Sequence, residues 1–126
     1  MRYVIIHMKN YVFSDAVSQT LQNDGQKDLL VTKVYTQEEL EQYIGFASVL
    51  LLEVTRYPSY TVEERLKLRD RVKAANPDCK IVFVVDENSE PEVADRVRQA
   101  KKDGLIDQFI YGSISASYLV ALVDTL

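Results

Sequence analysis

The sequence is poor in the residues most used for metal and redox chemistry: it has one cysteine, Cys79, and one histidine, His7. A single cysteine excludes an internal disulfide, and one histidine leaves no Cys/His set of zinc-ligand spacing. Both favour a reducing cytoplasm. No apolar run is long enough to span a bilayer. The opening MRYVIIHMKN is broken by His7, Lys9 and Asn10 too early to be a signal-peptide core. The motifs G-x-G-x-x-G, the P-loop, G-x-S-x-G and H-E-x-x-H are all missing, which removes the usual sequence grounds for nucleotide, hydrolase or metalloprotease chemistry. No repeat, low-complexity stretch or interdomain linker interrupts the chain.

What remains is the composition of one globular domain: 126 residues, 47% apolar and 27% charged, spanning residues 1–126. The net charge of −4 speaks against general nucleic-acid binding, which needs an excess of Lys and Arg to meet phosphates. Eleven of the fifteen basic residues nevertheless fall between Arg56 and Lys102, mostly in EERLKLRDRVK and DRVRQAKK. On helices these read as solvated outer faces.

Short β-branched or leucine-rich runs alternate with longer helix-period stretches, the pattern of parallel strands joined by crossover helices. The strands are expected at Tyr3–His7, Leu29–Tyr35, Val49–Val54, Lys80–Val85 and Gln108–Tyr111. The third and fourth are continuously apolar, as central strands covered on both faces must be, and the second alternates as an edge strand would. Thr36 with Glu39, Thr61 with Glu64 and Ser89 with Glu92 have the spacing of capping boxes. Pro91 suits a first helical turn, and Gly25 and Gly104 suit helix ends. Core stripes follow at Phe13, Val17 and Leu21; Leu40, Tyr43 and Ile44; Val62, Leu66 and Val72; Val93, Val97 and Ala100; and Leu119, Leu122 and Val123.

Particular stretches carry a resemblance. SVLLLE (Ser48–Glu53) is similar to the D-x-V-L-L-D strand of bacterial response-regulator receiver (CheY-like) domains. KIVFVVDE (Lys80–Glu87) is similar to their fourth strand, and GLIDQFIYGS (Gly104–Ser113) to their G-A-D-D-Y-L-x-K-P-F segment. The resemblance covers nearly the whole chain. It implies a doubly wound α/β domain, flavodoxin-like, with a five-stranded parallel sheet in the order 2-1-3-4-5.

The family's functional letters are replaced. Its two adjacent Mg²⁺-binding acids would fall on His7 and Met8, or on Met8 and Lys9, so neither register supplies a carboxylate. The phosphoryl-accepting aspartate is matched by Glu53, the hydroxyl sensor by Asp86 and the pairing lysine by Tyr111. The resemblance is therefore to a degenerate, phosphorylation-independent receiver, with no cofactor, no metal and no catalysis. Lys9 is expected either to pair with Glu53 or Asp86 or to be solvated with them at the strand ends.

Function is expected in a protein contact, with another protein or a second copy of the chain, and not with membrane or nucleic acid. The residues proposed for it lie on the surface of the fourth helix, fifth strand and fifth helix: Arg98, Lys101, Lys102, Asp107, Tyr111 and Tyr118. The chain would then be a signalling module, which a longer protein could carry at its N-terminus. Alternatives are the N-terminal domain of a transcription regulator or a pilus-assembly ATPase, or a small-ligand sensor.

Overall fold

Each of the five β-branched runs forms a strand in the computed structural model, which describes residues 2–24, 28–112 and 116–126. In chain order the elements are β1 (Arg2–His7), α1 (Tyr11–Asp24), β2 (Leu29–Val34), α2 (Gln37–Glu41), β3 (Val49–Glu53), α3 (Val62–Ala75), β4 (Lys80–Val85), α4 (Pro91–Lys102), β5 (Gln108–Tyr111) and α5 (Ala116–Thr125). The strands form one parallel sheet in the order β2-β1-β3-β4-β5. Edge strand β2 carries the mixed exposure its alternation predicts, whereas four of the five residues of β3 are buried. Gly25 and Ser113 fall outside the described residues.

Because successive strand side chains point to opposite faces, the sheet divides its apolar residues between two cores. Val49, Leu51, Val82, Val84 and Ile110 pack with Val17 and Leu21 of α1 and Leu119 and Val123 of α5. Leu50, Leu52, Ile81, Phe83 and Val85 pack with Leu40, Val62, Leu68, Val72 and Val97 from α2, α3 and α4. The polar ends of β1, β3 and β4 are left at one edge of this double core.

Two of the three capping boxes form their N-cap half, with the glutamates reaching N–H groups just before the cap instead of the cap's own: Glu39 Oε1 accepts Tyr35 N–H at 3.3 Å and Glu64 Oε1 accepts Ser59 N–H at 2.9 Å. Glu39 N–H donates to Thr36 Oγ1 at 3.1 Å, and Glu64 N–H donates to Thr61 Oγ1 at 3.3 Å. The third does not, and the reason is Pro91. As the first helical residue it makes Glu90 the cap position, where no side chain bonds to the helix, and Ser89 falls outside. Helix α2 is also shorter than its pattern suggests. It ends at Glu41, so that Tyr43 and Ile44 reach the core from the turns that follow.

Helix α4 closes on the glycine its sequence placed there. Gly104 has φ of 75°, its N–H donates to Lys101 O at 3.1 Å, and Leu105 N–H donates to Ala100 O at 3.0 Å. That paired bonding is a Schellman cap. A Cβ at Gly104 would meet nothing within 4 Å, so only the left-handed backbone resists substitution. Gly104→Ala is therefore expected to cost about 1 kcal/mol in urea unfolding, with no change in the sheet.

Candidate functional site

The carboxyl ends of β1, β3 and β4, with the loops that leave them, enclose a cleft of about 420 Å³. Lys9 and Asn10 come from the β1–α1 loop, Glu53 from the end of β3, Thr55, Arg56 and Tyr57 from the loop after it, and Asp86, Ser89 and Glu90 from the β4–α4 loop. Open α/β sheets generally bind ligands at such an edge.

The carboxylates here are already engaged. Glu53 Oε1 accepts the Asn10 N–H at 2.9 Å. Asn10 in turn starts α1, its Oδ1 accepting Phe13 N–H at 3.1 Å. Asp86 Oδ1 accepts the N–H groups of Asn88 at 3.0 Å and Ser89 at 3.3 Å. Bonding from Ser89, with the N–H of Asn88, holds the Asp86 carboxyl below its ordinary range. Glu90 Oε1 accepts the Arg56 N–H at 2.9 Å. Each acid organises a loop.

Lys9 pairs with neither acid. Its ammonium lies over the Tyr57 ring, 4.4 Å from the centroid, and among the described residues no ion pair joins it to Glu53 or Asp86. An exposed aromatic face holds the cation by a cation–π contact.

Of the positions that would have supplied metal-binding acids, His7 and Met8 in one register and Met8 and Lys9 in the other, His7 and Met8 point inward and Lys9 is exposed. Met8 is buried in the core under α1 and α5. His7 is 1% exposed and stacks on Tyr60, with centroids 5.2 Å apart and 14° between the rings. Beside it lies Arg65 of α3, also 1% exposed. Arg65 Nε donates to Glu53 O at 2.9 Å and Nη2 donates to His7 O at 3.2 Å. Nη1 lies 2.9 Å from His7 Nδ1. A guanidinium only donates, so His7 Nδ1 must be the acceptor and its ring neutral, with the proton on Nε2. Burial, reinforced by the adjacent Arg65 charge, brings His7 down to about 4. Burial also lowers Arg65, to about 10, which leaves it charged at neutral pH.

The metal that receiver-like folds suggest does not fit this donor set. Among the described residues no group of three or more His, Cys, Asp or Glu could hold an ion.

Tyr111 is not part of the cleft. Its ring makes an edge contact with Phe109, and its hydroxyl accepts Arg98 Nη1–H at 2.7 Å. The strand pleat aims it at α4. Asp107 is not a rim charge either: its Oδ2 accepts Ile81 N–H at 2.8 Å and lies 3.4 Å from Lys73 Nζ, so it fastens the start of β5 to β4 and α3. Arg98 and Lys102 are exposed, Lys101 is half-buried, and Tyr118 is 54% exposed on α5.

Sequence reasoning missed Arg65, Tyr60 and Asn10. The first had a legible signal. Val62, Arg65, Leu68 and Val72 form one buried stripe of α3, so an arginine stands where the helical period calls for an apolar residue. Nor are Arg69 and Lys73 of α3 merely solvated: Arg69 Nε donates to Leu105 O at 2.8 Å and Lys73 Nζ to Cys79 O at 2.7 Å.

No protein-family model matches the chain, and no curated protein matches it in sequence. Solved structures do match. A CheY-like response regulator receiver domain protein from Methanospirillum hungatei is 16% identical with a TM-score of 0.70, over 99% of this chain and 92% of that one. A response regulator receiver domain protein from Clostridium thermocellum is 13% identical with a TM-score of 0.75, over 99% and 93%. The signal receiver domain of a DNA-binding response regulator from Colwellia psychrerythraea is 11% identical with a TM-score of 0.72, over 99% and 97%. At these identities the likeness is one of fold: the flavodoxin-like receiver architecture, with its strand order 2-1-3-4-5.

Proposed function

We propose that this domain is a signal-transduction module that works without phosphorylation and acts through a protein contact. The observation that carries the reading is the state of Glu53. Its carboxylate oxygen is bound by the Asn10 N–H, the positions that would supply metal-binding acids hold a buried methionine with either the buried His7 or Lys9, and the Lys9 cation rests on Tyr57. Phosphoryl transfer depends on positioning and charge neutralisation around an in-line nucleophile; here Glu53 is already bonded to a backbone N–H, and among the described residues no cluster of acids is placed to hold a metal ion. Catalysis of another kind has no support in the cleft, where no nucleophile is paired with a base.

The proposed contact surface is that of α4 and β5, extended by Tyr118 of α5. Tyr111 is held by Arg98 and Phe109, so an amphipathic ring with an anchored hydroxyl stands beside the exposed Arg98. Rigid aromatics with an Arg neighbour are the residue types that dominate interface energies. No helix among the described residues is long and apolar enough to cross a membrane.

The test is incubation with a small-molecule phosphodonor and MgCl₂, read by intact mass and sedimentation velocity. The expected result is unmodified mass and an unchanged sedimentation coefficient. A stoichiometric phosphate adduct overturns phosphorylation independence. If the domain self-associates, Arg98→Glu is expected to weaken the dimer by tenfold or more, on the order of the loss typical of a central interface arginine; an unchanged dimer removes this face from the proposal.

A further inference from the structure

We infer that Arg65 is a resident cation that ties the carboxyl ends of β1 and β3 together and holds the strand-end site in one arrangement without a bound metal. The inference deepens the proposed function and rests on it, since a module that does not switch by phosphorylation needs some other device to hold one state.

The geometry makes the argument. Three nitrogens of one guanidinium bond three acceptors on two strands: His7 Nδ1 and His7 O at the end of β1, and Glu53 O at the end of β3. The charge arrives from α3, so the helix, both strand ends and the loop between β3 and α3 are joined through one group. Tyr60 of that loop covers the guanidinium, its ring centroid 5.0 Å from Cζ, and stacks on His7 as well. The loop is drawn in by its own backbone, Thr55 N–H donating to Tyr60 O at 2.9 Å.

Among the described residues Arg65 has no carboxylate within ion-pair distance. Its charge is balanced instead by two carbonyl dipoles, an imidazole lone pair and a tyrosine face. An arginine buried only to fill space would not require an acceptor from each strand. Charge held this way performs two tasks that a carboxylate-bound divalent ion would perform at a strand-end site, since it bridges oxygens from separate strands and supplies positive potential beneath Glu53. Lysine cannot copy it, because one ammonium has no planar fork to span acceptors on both strands.

The single histidine supplies a specific reporter. Imidazole ¹⁵N spectra and backbone amide exchange should be recorded on the wild type, Arg65→Lys and Arg65→Met, each with and without saturating MgCl₂. In the wild type His7 is expected as one Nε2–H tautomer, and no resonance should shift saturably with Mg²⁺. In Arg65→Met the tautomer should become mixed, and exchange at Val54 and Thr55 should rise on the order of tenfold or more as the loop opens. Should the methionine variant fail to fold, Arg65→Lys, which keeps the charge, is expected to show the same tautomer change with a smaller rise in exchange.

An unchanged tautomer and unchanged exchange in the variants that fold overturn the inference, as does saturable Mg²⁺ binding to the wild-type cleft. A phosphoryl adduct on the wild type defeats the proposed function while leaving the tautomer and exchange results as they stand, so the two failures are told apart.

Discussion

Between pH 6.5 and pH 4 the domain is expected to lose about 3 kcal/mol of stability through His7 alone. In the folded chain burial, with the neighbouring Arg65 charge, brings this side chain to about 4. In the unfolded chain it titrates near 6.5, the ordinary value for histidine. Throughout that window the unfolded state holds a proton that the folded state does not, so stability rises with pH. The contribution is complete above pH 6.5, falls as the pH drops, and is gone near pH 4. The charged groups facing His7 give protonation no relief, because Arg65 is cationic, Tyr60 is neutral at these pH values, and the Glu53 carboxylate is turned to the Asn10 N–H.

The measurement is urea unfolding at pH 7 and pH 4.5 on the wild type and on His7→Asn. Asparagine keeps an acceptor close to the position of Nδ1 for Arg65 but does not titrate. Carboxylates contribute equally to both proteins, so the difference between their pH slopes isolates the histidine. Parallel slopes would show that His7 is not held neutral by its surroundings.

The sheet was legible because strand and helix periods differ, and because β3 and β4 carry no polar interruption before their ends. Start signals at Thr36 and Thr61 and the stop at Gly104 were legible for the same local reason, since each depends on a few adjacent residues. Ser89 was misread where two local rules competed: the spacing to Glu92 suggested a box, but the proline at 91 set the helix start one residue later. The ends of the strands were a different problem. Lys9 turns to Tyr57, and Glu53 and Asp86 to backbone N–H groups, on loops whose course no pattern reports. Asp107 looked like a surface charge because its partner, the Ile81 N–H, belongs to a neighbouring strand. Arg65 was passed over within a run of charges, although its place between Val62 and Leu68 put it on the buried stripe.

Arg65→Met is expected to destabilise the domain by about 3 kcal/mol at pH 7. Two effects oppose each other. Removing a buried charge recovers its desolvation cost, but it leaves His7 Nδ1, His7 O and Glu53 O without their donor. Each buried acceptor left unpaired costs about 1–3 kcal/mol. In the native chain the desolvation of the guanidinium is already offset by these three bonds and by Tyr60, so the orphaned acceptors decide the sign. Methionine fills much of the same volume and admits little water to replace the lost donor. Arg65→Ala leaves more room, and water entering to bond the carbonyls recovers part of the loss while the cavity adds a cost of its own.

The same substitution acts on the histidine. Without the adjacent cation His7 is easier to protonate, so its value rises from about 4 toward its ordinary range. The pH slope of Arg65→Met should therefore be shallower than that of the wild type, even though the variant is less stable at every pH above 6.5. Combining it with His7→Phe, which removes the ring acceptor, should cost less than the sum of the two single changes, because each of them dismantles the same contact. Additive losses in that double-mutant cycle, measured by urea unfolding at pH 7, would show that the guanidinium and the imidazole stabilise the strand ends independently.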